Sequence, residues 1–156
     1  DIKINARTFK AVGGVIQTEA KGEGNPGDLN IDVVGDINFD TVTLNSRLSS
    51  IGTGNRGNIT ISAANFQMNQ NSDIPRQSLI LAGTSGQGNS GNVAIAVDNA
   101  INVSDSFIEA RAENDAVGNA GNIEINVGNQ FLIKDAKVFA KEKLKLLDFP
   151  KLGRPN

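Results

Sequence analysis

The sequence predicts an all-β fold, a parallel β-helix (β-solenoid) of about five rungs with roughly 30 residues and three short strands each. Three observations carry this. A Gly-[Asn/Asp]-apolar-x-Ile anchor recurs in step along the chain. The apolar residues between anchors alternate with period two, the strand signature. Gly and Asn, 17 and 20 of the 156 residues, gather between those alternating runs.

The anchors read Gly27-Asp28-Leu29-Asn30-Ile31, Gly57-Asn58-Ile59-Thr60-Ile61, Gly91-Asn92-Val93-Ala94-Ile95 and Gly121-Asn122-Ile123-Glu124-Ile125. Successive anchor glycines are equally spaced in the first and last intervals, and the middle interval is four residues longer. Asp1-Ile2-Lys3-Ile4 reads as the same element without its glycine. A near-constant period of this length marks units that cannot bury an apolar face alone and are stabilised by stacking on their neighbours. The first strand of each unit follows the anchor, as in Ile59, Ile61 and Ala63 or Val93, Ile95 and Val97. A second carries Ile37 and Phe39, Phe66 and Met68, Ile101 and Val103, and Phe131 and Ile133. A third carries Ile16 and Thr18, Leu48 and Ser50, Ile80 and Ala82, Ile108 and Ala110, and Val138 and Ala140. Gly-rich loops such as Ser85-Gly86-Gln87-Gly88-Asn89-Ser90 close each unit, and corners with positive φ suit Gly and Asn. Asn58, Asn92 and Asn122 at one repeat position are expected to form a side-chain amide ladder along the rod. An antiparallel sandwich also has short strands and frequent turns. It does not ordinarily repeat one hydrophobic column at so regular an interval.

The pattern divides the chain into repeats over 1–140 and a basic tail over 141–156. The tail carries net charge +3 against −5 for the remainder, and is expected to be a cap or disordered. Leu144, Leu146, Leu147 and Phe149 suggest a short amphipathic turn over the last rung.

Composition narrows the chemistry. The chain has no His, Cys, Trp or Tyr, so disulfides, thiol nucleophiles, imidazole-dependent triads and the usual zinc sites are excluded. A net charge of −2 and seven Phe argue against a nucleic-acid partner. No stretch has the roughly 18 apolar residues of a membrane span. A chain that opens in mid-pattern at Asp1 is expected to be a fragment or a processed piece, and it shows no signal peptide.

The strings Gly88-Asn-Ser-Gly-Asn-Val-Ala-Ile95 and Gly118-Asn-Ala-Gly-Asn-Ile-Glu-Ile125, with Phe107-Ile-Glu-Ala110 between them, resemble filamentous haemagglutinin-type repeats. They are most similar to the large exoproteins of cyanobacteria, over about residues 1–140. That resemblance implies a right-handed, pectin lyase-like β-helix exported by two-partner secretion and held at or released from the outer surface of the outer membrane. It implies an adhesive or structural shaft whose partners are a host, neighbouring-cell or matrix surface. A further implied partner is an outer-membrane transporter, engaged through a part not seen in this chain. The family's secretion, toxin and anchoring modules are also not seen here.

Against that non-enzymatic reading stands a carbohydrate-active or carbohydrate-binding β-helix. Glu109, Arg111 and Glu113 alternate on the third strand and are expected to face outward together. Glu109 and Glu113 are four residues apart, about 13 Å along a strand and wider than an acid/base pair needs, and Arg111 between them is expected to neutralise the pair. A matrix-binding module without catalysis is a third possibility. No metal ligand set repeats between rungs; Asp36, Asp40, Asp98 and Asp105 stand singly. The Gly83-Thr-Ser-Gly-Gln-Gly88 loop lacks the Lys and the helix of a phosphate-binding loop. No catalytic residue, cofactor or metal is therefore assigned. Outward Leu81 and Phe139 are a candidate contact patch.

Overall fold

Alternating side chains put one face of each strand in the core, and the same alternation in every repeat lets equivalent strands lie side by side. The computed structural model describes residues 1–71, 73–74, 76–112, 116–140 and the strand backbone of 144–147. It contains twelve strands: β1 (Ile2–Ala6), β2 (Phe9–Ala20), β3 (Leu29–Val33), β4 (Asp36–Leu48), β5 (Ile59–Asn69), β6 (Ser78–Leu81), β7 (Val93–Ser104), β8 (Ser106–Ala110), β9 (Ile123–Val127), β10 (Gln130–Lys134), β11 (Lys137–Ala140) and β12 (Leu144–Leu147). Every strand pairing is parallel. The chain is a β-solenoid with four complete coils and most of a fifth.

Three columns run along the rod. In the first, Ile2, Leu29, Ile59, Val93, Ile123 and Leu144 occupy one register. The second aligns Phe9, Ile37, Phe66, Ile101 and Phe131. The third aligns Ile16, Leu44, Ile80, Ile108 and Val138. Two residues further along the first column, Ile31, Ile61, Ile95 and Ile125 stack inward at 0–2% exposure. Phe39 meets Phe9 and Phe66 edge to face, with ring centroids 5.3 and 5.7 Å apart. Such pairs add about 0.5–1.5 kcal/mol beyond the area they bury.

The corners differ from three separate strands per rung. β2, β4, β5 and β7 each turn a corner without a break and serve two columns. The first corner is made by an irregularity between Ala63 and Asn65 against β7. Outside the third coil, whose insertion lies here, the second uses one residue of positive φ in each coil: Gly13 (60°), Thr41 (57°), Asp105 (48°) and Asp135 (51°). Thr is unusual there, because a β-branched side chain crowds the backbone at positive φ. Its hydroxyl has two partners, accepting from Asn71 N–H at 2.8 Å and donating to Asp40 Oδ1 at 3.3 Å.

The third strand of the second repeat sits four residues earlier than the sequence pattern suggested. Leu44 and Ser46, rather than Leu48 and Ser50, align with Ile16 and Thr18. Val42, Leu44, Ser46 and Leu48 are all buried, so a shift of four residues keeps the inward face intact. Alternation sets the face, and pairing decides the register.

The longer middle interval between anchors also has a structural cause. From second to third column the third coil runs from Phe66 to Ile80, twice the stretch that the second coil uses between Ile37 and Leu44. The surplus leaves the rod at the second corner, and the methyl end of Ile74 lies beside Gly13, two coils back. In the tail, β12 pairs with β9 from Leu144 to Leu147, so the first column reaches this segment as a strand and not as a turn. Phe149 and the rest of the tail lie outside the described residues.

Ile95 is a test of the stack. Ile95→Val is expected to lower stability by about 0.5–1.5 kcal/mol and Ile95→Ala by about 2–5 kcal/mol, read from denaturant melts. A Cβ at Gly91 would overlap the Gly57 carbonyl oxygen, whereas one at Gly22 meets nothing within 4 Å. Gly91→Ala should therefore lower the melting temperature strongly or prevent folding, and Gly22→Ala should leave it nearly unchanged.

Candidate functional site

With the apolar residues committed to the core, function has to be sought in what each coil shows outside. The Gly-rich loops give the most regular outer feature. Their bridges Glu23 to Thr53, Thr53 to Gln87 and Gln87 to Val117 form a short fourth line of parallel contacts. Gly54 N–H donates to Gln87 O and Gly88 N–H to Val117 O, both within 2.9 Å. Backbone donors that would cradle a phosphate are thus spent on the neighbouring coil.

Each anchor glycine lets the backbone of one coil come close to the next. The following residue is Asx, and its side chain completes the junction. Asp28 N–H donates to Asp1 Oδ1, Asn58 N–H to Asp28 Oδ1, Asn92 N–H to Asn58 Oδ1 and Asn122 N–H to Asn92 Oδ1, at 2.7–2.9 Å. A second row stands three residues earlier in the chain. Asn55 N–H donates to Asn25 Oδ1, Asn89 N–H to Asn55 Oδ1 and Asn119 N–H to Asn89 Oδ1, at 2.7–3.0 Å. The ladder expected at Asn58, Asn92 and Asn122 is therefore present, but as amide oxygens accepting backbone N–H groups and not as amides bonded to one another. The second row carried the same repeat signal, since Asn25, Asn55, Asn89 and Asn119 all precede an anchor by two residues.

Between the rows Arg56-Gly57, Ser90-Gly91 and Gly121 are buried while the flanking asparagines are exposed, which leaves a trough with the anchor glycines in its floor. At its first two coils it encloses about 370 Å³ among Asp1, Asn25, Asp28, Asn55, Asn58 and Gly57. Arg56 lies beneath it, 7% exposed, and turns inward to donate to Ser46 O at 2.6 Å and Leu48 O at 3.3 Å.

Of the residues singled out on the third column, Glu109 is more covered than an outward strand position suggests, and Arg111 pairs with it as the spacing implies. Glu109 lies in register between Leu81 and Phe139, and its side chain is only 12% exposed. Arg111 Nε donates to Glu109 Oε2 at 2.9 Å, so the guanidinium neutralises this carboxylate. Glu113 lies outside the described residues. Phe139 is half-exposed and Leu81 partly covered, so the patch they define is interrupted by Glu109. Asp36 accepts from Asn65 Nδ2 at 2.7 Å and Asp32 from Ser62 Oγ at 2.6 Å, bonds that also tie coil to coil. Among the described residues no three acidic side chains converge as a metal site would require.

The insertion after β5 creates a second hollow, about 300 Å³, lined by Gly13, Gly14, Val15, Thr41, Thr43, Ile74 and Arg76. Its only sequence signal is the longer repeat. No family model, curated protein or solved structure matches this chain.

The ladder can be tested at Asn92. Asn92→Ala takes the acceptor from Asn122 N–H and is expected to lower stability by about 1 kcal/mol in denaturant melts. Asn92→Asp keeps an Oδ1 in place, as Asp28 does in the same row, and should retain most of that stability.

Proposed function

We propose that this chain is a structural and adhesive shaft segment of a secreted or surface-attached filamentous haemagglutinin-like exoprotein, and that it acts without catalysis. The observation that carries the reading is the uninterrupted stack of near-equivalent coils, in which polar residues on the outer faces mainly bond one coil to the next. Such a rod holds its shape over its length and presents the same groups repeatedly. Contacts that are weak singly add through high effective concentration when many are displayed together. Its partners in this reading are cell or matrix surfaces, reached after export across the outer membrane. The Gly-Asn anchors supply the family resemblance.

The carbohydrate-active alternative needs paired carboxylates in an open cleft. Glu109 is engaged by Arg111 and flanked by apolar side chains, which favours a structural role for it.

The test uses the chain displayed on beads at several densities. Adhesion to bacterial or eukaryotic cell surfaces or to matrix is expected to rise steeply with density. Incubation with soluble polysaccharides should release no reducing ends or unsaturated products. Product release together with density-independent binding would sink the shaft reading.

A further inference from the structure

The two Asx rows do more than hold coils together. Backbone N–H groups donate into the Oδ1 atoms of Asn25, Asn55 and Asn89 in one row and of Asn58 and Asn92 in the other. That fixes which end of each amide faces the coil below. The Nδ2 groups are left over, and among the described residues they have no hydrogen-bond partner. All five of these asparagines are exposed, as are Asn119 and Asn122 at the ends of the rows.

The result is two parallel lines of uncharged N–H donors along the rod, flanking a trough with glycine in its floor. Successive donors in a line are one coil apart, about 4.8 Å, so the four members of the row from Asn25 to Asn119 span about 14 Å. The ladder itself needs only the oxygen. Asp28 supplies one at 2.7 Å with no amide at all. The amide nitrogens are therefore surplus to the fold and free for a ligand.

We propose that this trough binds an extended, uncharged polysaccharide along the axis of the rod. Repeated neutral donors in a line match a chain whose hydroxyl, ring and bridging oxygens repeat as acceptors. A polyanion is disfavoured because the carboxylates of Asp1 and Asp28 stand at one end of the trough. A compact ligand would reach few of the donors. The proposal deepens the adhesive reading, rests on it for its biological setting, and names the surface and the ligand class.

The experiment is affinity electrophoresis of the 156-residue chain through gels containing a soluble β-glucan, a galactomannan, dextran or, as an acidic comparison, alginate. Retardation by at least one uncharged polymer and not by alginate is expected. Asn55→Asp and Asn89→Asp keep the ladder oxygen and remove the donors, and each should weaken retardation several-fold. Asn119→Ala removes donors where no described N–H depends on the side-chain oxygen, so it tests the trough even if the Asp variants melt early. Asn102→Asp, exposed on the second column outside the trough, should bind as the unaltered chain does. Retardation by none of the uncharged polymers overturns the proposal, as does retardation that survives all three trough substitutions. If the beads still adhere to cells in either case, the shaft reading stands and only the trough falls.

Discussion

Everything in this molecule depends on one coil lying directly on the next through parallel backbone hydrogen bonds. The bonds at the anchor show the constraint at its tightest. Ile59 N–H donates to Asn92 O and Val93 N–H to Asn122 O, each at 2.9 Å, while the Asx side chain accepts the N–H just before. At this separation there is no room for a Cβ between the two backbones. The glycines of the anchor are steric requirements, and those of the loop corner are steric and conformational at once: a Cβ at Gly88 would overlap the Gly54 carbonyl oxygen, and its φ is near 143°. Both kinds follow from asking a chain to return to the same place one strand spacing higher.

The same constraint explains which side chains are free to vary. An inward residue faces its equivalents above and below, so Leu29, Ile59, Val93 and Ile123 differ in shape but stay aliphatic. Where a polar residue points inward, its hydroxyl usually finds a carbonyl: Thr18 Oγ1 donates to Gly27 O at 2.6 Å and Ser90 Oγ to Arg111 O at 2.9 Å. Outward positions meet no such test, and the third column accordingly carries Gln17, Asn45, Leu81, Glu109 and Phe139 in one register.

Much of the fold was legible because the requirement repeats. Four anchors in step identify the coils, and period two identifies the inward faces. What alternation does not encode is a shift by an even number of residues, and that is where the second repeat was misplaced, at Leu48 instead of Leu44. Corner chemistry was legible at the Gly-rich loops and hidden at Thr41, whose hydroxyl accepts the Asn71 N–H of the next coil. On the outside, the sequence suggested that Glu109 projects outward beside Arg111. The neutralising Arg111 and the neighbours Leu81 and Phe139 were legible too; how deeply Glu109 is covered follows from packing between coils, which spacing along one strand does not report.

Repetition also shapes where recognition can arise. A rod of equivalent coils offers two kinds of surface. One is periodic, built from residues that the fold needs in every coil; the amide rows belong here, since their oxygens are structural and their nitrogens are not. The other is singular, where a coil departs from the rest, as the insertion at Ile74 and Arg76 does beside Gly13 and Thr41. A periodic surface gains strength with the number of coils and reads only the repeating features of a partner. A singular surface reads detail but acts once per rod. In the proposed shaft, where contacts would add by multiplicity, the periodic rows would supply the strength, because a lengthened stack adds two more amides with each coil while the insertion stays one.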